Sequence, residues 1–309
     1  MNQENKKISI VLTFYNAEDT LLELHSRVFS VLKKINYDYE IIYVNDSSDD
    51  SSEKIILDFI NSDNKVKLIN TTRRFGVQEG LLAGLEHATG NCAIFLDTDL
   101  QDPPELIEEM VKKWEEGFQV VNTVRTKREG ENFLKLFFTF LSYRLISKLS
   151  DFHVPVDCGD FKLIDQKVLS FIKNNADVPV YVKSLIYEAG WSSTSIKYKR
   201  ESSKKNVSNF GLGILHPQVL KGFVSFLYTT TNKHLFILAA SCFILSFVNL
   251  IYSFIYLFFL EKIFSTFLIL LSLSLILCLF GGISILLIKI YSIVRKKNNY
   301  FIKEKIGFK

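Results

Sequence analysis

The stretch AIFLDTDLQDPPE, Ala93 to Glu105, decides how the rest of the chain is read. Ala-Ile-Phe-Leu runs straight into Asp97, Asp99 and Asp102, with Gln101 among them and Pro103 and Pro104 directly after. A buried strand ending in carboxylates needs a reason, because an unpaired charge withdrawn from water is costly. Two readings are open at this point. One is a solvated turn, punctuated by Asp102-Pro103-Pro104. The other notes that Asp97, Asp99 and Gln101 alternate, so on an extended chain their oxygens face one side and suit a hard cation, Mg2+ or Mn2+.

Outward from that stretch, short β-branched runs alternate with longer amphipathic ones. Ile8–Leu12, Tyr39–Asn45, Val66–Asn70, Ala93–Asp97 and Gln119–Val124 read as strands, and Glu18–Leu32, Asp50–Asn61, Gln78–Ala88 and Pro104–Glu116 as helices. The alternation predicts an α/β domain around a largely parallel sheet, with ligands beyond the carboxyl ends of the strands. Polar clusters fall at those ends: TFYNAED, VNDSSDDSS, NTTRRFG, then the aspartates. No G-x-G-x-x-G follows the first strand and no G-x-x-x-x-G-K-[ST] occurs, so neither a dinucleotide fold nor a P-loop is supported. A phosphate-bearing ligand would have to be held by metal and side chains.

The chain has 309 residues, 48% of them hydrophobic, and a formal charge of +4 that is unevenly placed. Eight of the 37 Lys and Arg and two of the 33 Asp and Glu lie from Leu235 onward, leaving the first 234 residues at −2. The basic surplus belongs to the tail, which argues against nucleic acid as a partner. Residues 235–260 and 263–288 hold no charge, and each exceeds the about 20 apolar residues needed to cross a bilayer. They read as two transmembrane helices, a tight hairpin split by Glu261 and Lys262. Lys221, Lys233, Lys289, Arg295, Lys296, Lys297, Lys303 and Lys305 flank one side, so the positive-inside rule puts both termini in the cytoplasm. No apolar signal segment is read at the start, and the scattered Cys92, Cys158, Cys242 and Cys278 offer neither a C-x-x-C nor a disulfide framework. The expected domains are 1–210 catalytic, 211–234 juxtamembrane and interfacial, and 235–309 hairpin with a basic cytoplasmic tail.

The ordered motifs TFYNAEDTL, EIIYVNDSSDDSS, NTTRRFGVQEGLLAGLEHATG, IFLDTDLQDPPELI and VDCGDFKLID resemble family 2 glycosyltransferases of the polyprenyl-phosphate type. That group includes the bactoprenol glucosyltransferases and dolichyl-phosphate mannose synthase. The resemblance covers residues 7 to 165 and resumes with the hairpin. It implies a GT-A-like fold, a nucleotide-sugar donor such as a UDP-sugar, and a polyprenyl phosphate acceptor, here undecaprenyl phosphate in a bacterial inner membrane. Carried over, it puts Tyr15, Glu18, Asp46 and Ser48 around the nucleotide, Asp46 toward uracil or ribose, with Arg73 near them and Arg200 on the diphosphate. Asp97, Asp99 and Gln101 would hold the metal; Asp99, Asp160 and Arg125 would stand at the reacting centre. Arg125, Lys135 and Thr139 would take the acceptor phosphate. The usual glycines after strand two are Ser47 and Ser51, and the later Gly-x-Ser-Lys pattern is reduced to KRESSKK.

The implied chemistry needs no general base, because a phosphate monoester with a second pKa of about 6 is largely dianionic near neutrality. Asp160 then positions groups or organises the metal, its plainer alternative being an Asx-turn after Gly159. Asn132–Leu149 carries Lys135, Thr139 and Ser142 on one stripe, as in an interfacial helix or a core one. Ile214–Tyr228 reads as a second interfacial helix, and the small residues Gly281–Ser284 suit packing against another helix in a homo-oligomer. Three rivals stand beside this. A processive polysaccharide synthase needs a Q-x-x-R-W context that Trp114 and Trp191 lack, a sugar-1-phosphate nucleotidyltransferase would open on a Gly-rich loop, and an inactive scaffold would not keep D-x-D-x-Q.

Overall fold

The structure, a computed structural model, describes residues 6–35, 37–125, 158–176, 182–199, scattered positions between 268 and 290, and 299–308. The chain divides into two compact units, Met1–Thr229 with Asn298–Lys309, and Thr230–Lys297.

In the first unit the strands are β1 (Lys7–Phe14), β2 (Asp38–Asn45), β3 (Val66–Thr71), β4 (Cys92–Asp97), β5 (Val120–Arg125), β6 (Cys158–Asp165), β7 (Ser193–Tyr198) and β8 (Ile302–Ile306). The helices are α1 (Glu18–Leu32), α2 (Ser52–Ser62), α3 (Val77–His87), α4 (Leu106–Glu115), α5 (Gln166–Asn175) and α6 (Val182–Glu188). One eight-stranded sheet runs β7-β5-β6-β4-β1-β2-β3-β8. The block β4-β1-β2-β3 is parallel, as the alternation predicts. The sheet is largely parallel as expected, with two reversed strands in its flanks: β6 is antiparallel to β4 and β5, and β8 to β3, while β5 and β7 pair in parallel.

Period-two alternation builds two cores. Ile8, Ile10 and Leu12 of β1, Ile41 and Tyr43 of β2, and Ile94 and Leu96 of β4 pack with α1, α2 and α4. Val11, Ile42, Val44, Ala93 and Phe95 turn to the opposite face, under α3, α5 and α6. The strand order reverses between β1 and β4, whose carboxyl ends meet at Thr13 and Asp97, the edge beyond which such sheets bind ligands.

The opposite end of the sheet is held by a buried carboxylate. Glu40, 1% exposed, accepts from Lys67 Nζ at 2.7 Å, Ser9 Oγ at 2.6 Å, the Thr89 amide at 2.7 Å and Lys7 Nζ at 3.0 Å. Burial opposes its charge, yet these donors lower its pKa to about 2.

The tail beyond the apolar segments, read as a basic cytoplasmic extension, contains a strand of the sheet. β8 pairs Ile306 with Leu68, and Ile302 with Thr71 after a register shift. Gly307, at φ +79, ends it where a Cβ would stand 2.7 Å from the Val66 carbonyl oxygen. In the second unit, the helical residues Ile269, Leu273, Ile276, Phe280, Ile283 and Leu287 are exposed, recurring every three or four positions. Among the described residues no helix is long and apolar enough to cross a membrane. The expected span 235–260 and most of 263–288 lie outside those residues, as do the stretches 132–149 and 214–228.

Candidate active site

Four loops form the rim beyond the carboxyl ends of β1, β2, β3 and β4, and three of them carry backbone strain. Asn16 (φ 49), Ser47 (φ 64) and Leu100 (φ 59), just beyond β1, β2 and β4, are the described non-glycine residues in the left-handed region. Each costs about 1–3 kcal/mol, which persists where surrounding contacts impose it. Ser47 is thus where the sequence replaces a glycine and the backbone keeps the glycine conformation.

The first two loops are tied edge to edge. Asn16 Nδ2 donates to Asp49 Oδ1 at 2.5 Å while the Asp49 amide donates to Asn16 Oδ1 at 3.1 Å. The Asn16 amide donates to Ser48 Oγ at 3.0 Å, and the Ser51 amide to Glu18 Oε2 at 2.9 Å. Ser48 and Glu18, expected at the nucleotide, therefore lie on this rim and fix one loop against the other. Tyr15 is exposed, with the Arg74 guanidinium 3.9 Å from its ring centroid.

The third loop hangs from Asp46, which is 5% exposed. The Phe75 amide donates to its Oδ1 at 2.8 Å and the Gly76 amide to its Oδ2 at 2.9 Å. Burial raises the Asp46 pKa against these amides and the nearby Arg74. Asp46 thus shapes the loop carrying Arg73 and Arg74, a role the motif alone does not convey. The Arg73 guanidinium lies 4.0 Å over the Phe75 ring.

In the fourth loop the structure corrects the extended reading of D-x-D-x-Q. β4 ends at Asp97, where its pairing with β1 ends, and the chain then turns through the left-handed Leu100. Asp99 and Gln101 are brought together by that turn, the Gln101 amide donating to Asp99 Oδ1 at 3.1 Å. Simple alternation does not align them.

Around this turn the carboxylates act on one another. Asp97 is pushed up to about 8, first by desolvation and then by the negative charges of Asp160, Asp99 and Asp102, with Arg125 opposing. Asp160 on β6 is therefore brought to Asp97 across the β4–β6 pairing. Among the described residues no set of three or more His, Cys, Asp and Glu forms a metal cage. Two aspartates and an amide in a strongly negative field fit Mg2+ or Mn2+, which are held by one or two carboxylates and completed by substrate phosphate and water.

Arg125, at the end of β5, faces the cluster. Its NH2 group lies 3.4 Å from Asp102 Oδ2 and its Nε donates to the Tyr198 hydroxyl at 3.1 Å. That hydroxyl in turn donates to Asp102 Oδ1, so cation, carboxylate and phenol close a ring. Asp102 is 0% exposed. Burial opposes the guanidinium charge, but Asp102, Tyr198 and Asp97 keep its pKa above the ordinary arginine value. Tyr198 is raised to about 12 by burial and by Asp102. Gly159 leaves the room: a Cβ there would stand 3.2 Å from the Arg125 guanidinium. Asp102 and Tyr198 are the site residues that sequence reading misses; Asp102 reads as a turn, and Tyr198 carries no motif. Lys135, Thr139 and Arg200 lie outside the described residues.

Comparison with known proteins agrees with this geometry. Residues 9–172 match the model of Glycosyl transferase family 2. An uncharacterised glycosyltransferase of Bacillus subtilis, YkcC, is 34% identical over 309 residues, 97% of this chain and 94% of that protein. A bactoprenol glucosyl transferase of Shigella phage SfV is 32% identical over 220 residues, 71% of this chain and 72% of that protein. Glucosyl-3-phosphoglycerate synthase from Mycobacterium tuberculosis, solved with Mn2+, UDP and glucosyl-3-phosphoglycerate, superposes with a TM-score of 0.52 at 17% identity, covering 73% of this chain and 80% of that one. That likeness is one of fold. With the sheet, the rim loops and the aspartate turn in place, the chain belongs to glycosyl transferase family 2.

Proposed function

We propose that this glycosyltransferase moves a hexosyl group from a UDP-sugar to a polyprenyl phosphate, with inversion, at the cytoplasmic face of a bacterial inner membrane. The observation that carries the reading is the meeting of opposite charges at one rim: Asp97, Asp99 and Asp160 on one side, Arg125 on the other. Asp97, Asp99 and Gln101 would hold Mg2+ or Mn2+. When bound, the ion supplies Lewis-acid neutralisation of the departing diphosphate.

The chain's own groups do the rest. Asp46 and the paired first and second loops set the nucleotide side of the rim. Arg125 offers the acceptor phosphate a charge-assisted contact, and the Asp102–Tyr198 pair fixes where that guanidinium sits. An acceptor phosphate already ionised needs no proton removed, so Asp160 acts by position and charge. The relative named for bactoprenol supports the lipid acceptor, and the mycobacterial synthase bound to UDP and Mn2+ supports donor and ion. Exposed apolar side chains between 269 and 287, with the charge-free stretches 235–260 and 263–288, support membrane attachment.

The test incubates the full chain in membranes with a panel of labelled UDP-sugars and undecaprenyl phosphate, with Mn2+ or with EDTA, followed by lipid extraction. Label in the lipid fraction with Mn2+ alone is the expected result. Label from no UDP-sugar, or equal label in EDTA, overturns the reading.

A further inference from the structure

The end of the chain touches the loop that carries the two rim arginines. The Thr72 amide, just past β3, donates to the Phe301 carbonyl oxygen at 3.0 Å. The Phe301 ring lies 6.2 Å from that of Phe75, on which the Arg73 guanidinium is stacked at 4.0 Å. Thr71, opposite Ile302, closes the same loop by donating its hydroxyl to the Arg73 carbonyl at 2.9 Å. The tail is anchored on both sides of β8. Tyr300 donates to Glu86 on α3, and Phe308 packs against His87 at 5.7 Å.

We propose that residues 300–307 are a positioning element of the donor site: they hold the Arg73–Gly76 loop so that Arg73 and Arg74 are set to receive a nucleoside diphosphate. The inference rests on the UDP-sugar reading above. Asp46 pins the loop at Phe75 and Gly76, but nothing on β2 reaches Thr72 or the outer face of Phe75 among the contacts described. Phe301 supplies both. It is half exposed, so its ring is no part of the core, and its removal leaves the sheet's packing in place. A strand that merely covered the edge of β3 would protect backbone groups without needing an aromatic ring at Phe301.

Three variants of the full chain separate these roles: Phe301→Ala, Phe301→Tyr and Gly307→Val. The valine cannot adopt φ +79 beside the Val66 carbonyl, so it lifts the strand end away. Amide hydrogen exchange across residues 72–76 reports the clamp without any ligand, and UDP binding with Mn2+ reports its consequence. Phe301→Ala and Gly307→Val are expected to speed exchange in that loop and to weaken UDP about tenfold, the scale of one lost charge-assisted contact. Phe301→Tyr is expected to stay within about twofold of wild type, and the acceptor KM to stay unchanged in all three. Unchanged exchange in the folded alanine and valine variants overturns the proposal, as does faster exchange with unchanged UDP affinity. A wild type that binds no UDP refutes the donor reading instead, and the exchange experiment still decides whether the tail holds the loop.

Discussion

Replacing Asp97 by asparagine is expected to stabilise the metal-free protein, although it removes a residue assigned to the metal. A carboxyl raised from 3.8 to about 8 must take up a proton as the chain folds. That uptake costs nothing below pH 4, grows as pH rises toward 8, and is constant above it. At pH 7 the unfolded chain has passed its ordinary carboxyl value by about three pH units, each worth about 1.36 kcal/mol, so the carboxylates that share this proton, Asp97 with Asp160 and Asp99, carry a cost of up to about 4 kcal/mol between them. Asparagine keeps the shape and never ionises. In EDTA at pH 7, Asp97→Asn is therefore expected to melt on the order of 10 °C above wild type, and the gap should close at pH 4. Mn2+ is expected to raise the wild-type melting temperature at pH 7 and to leave the variant nearly unmoved, because the ion and the negative charge stabilise each other. Thermal melting of both proteins at pH 4, 6, 7 and 8, with EDTA or Mn2+, measures all of this. A variant no more stable than wild type at pH 8 in EDTA, or equal stabilisation of both by Mn2+, refutes the reasoning.

Tyr198→Phe removes the hydroxyl that bridges Arg125 and Asp102 while keeping the ring; it should cost about 1.5–3 kcal/mol of stability and raise the acceptor KM with donor KM unchanged, measured by melting and steady-state kinetics. Glu40→Gln should destabilise the protein by about 3 kcal/mol at pH 7, because a carboxyl lowered from 4.5 to about 2 stabilises the fold above pH 4.5 and loses that contribution as pH falls to 2. Melting curves of wild type and Glu40→Gln should therefore converge near pH 2, and a constant difference would count against the buried network. Cutting the chain after Thr229 also removes β8 and bares the edge of β3, so the fragment should aggregate. Replacing residues 230–297 by a long Gly/Ser linker should instead keep UDP binding and lose transfer to long-chain polyprenyl phosphate, as equilibrium binding and lipid extraction would report.

The parallel half of the sheet was legible because both its faces are covered by helices. Runs such as Ile8–Leu12 and Ala93–Asp97, bounded by polar loops, have no other stable reading. The site was legible as a set of loop motifs but not as geometry. Alternation places Asp97, Asp99 and Gln101 on one side only if the chain stays extended, and the left-handed Leu100 breaks that condition. Asp102 looks like punctuation before two prolines, because the tyrosine that accounts for its burial lies 96 positions further on. Asp46 shows its charge in the sequence and hides its direction, which the Phe75 and Gly76 amides determine. β8 was hidden for another reason. IKEKI is short and mostly charged, as an edge strand is, and only Ile302 and Ile306 turn partly inward.

The return of the chain end to the sheet also sets a rule of parity. Residues before 230 and after 297 belong to one folded unit, so the segment between them begins and finishes at the same body. Any path it takes through a bilayer must then cross an even number of times; a single crossing, or three, would strand β8 on the far side from β3. Two charge-free stretches, 235–260 and 263–288, give the smallest number of crossings above none that meets this rule. An insertion that flipped only one of them would carry a sheet strand out of the sheet and leave the edge of β3 open, so faulty topology and faulty folding would be one and the same defect.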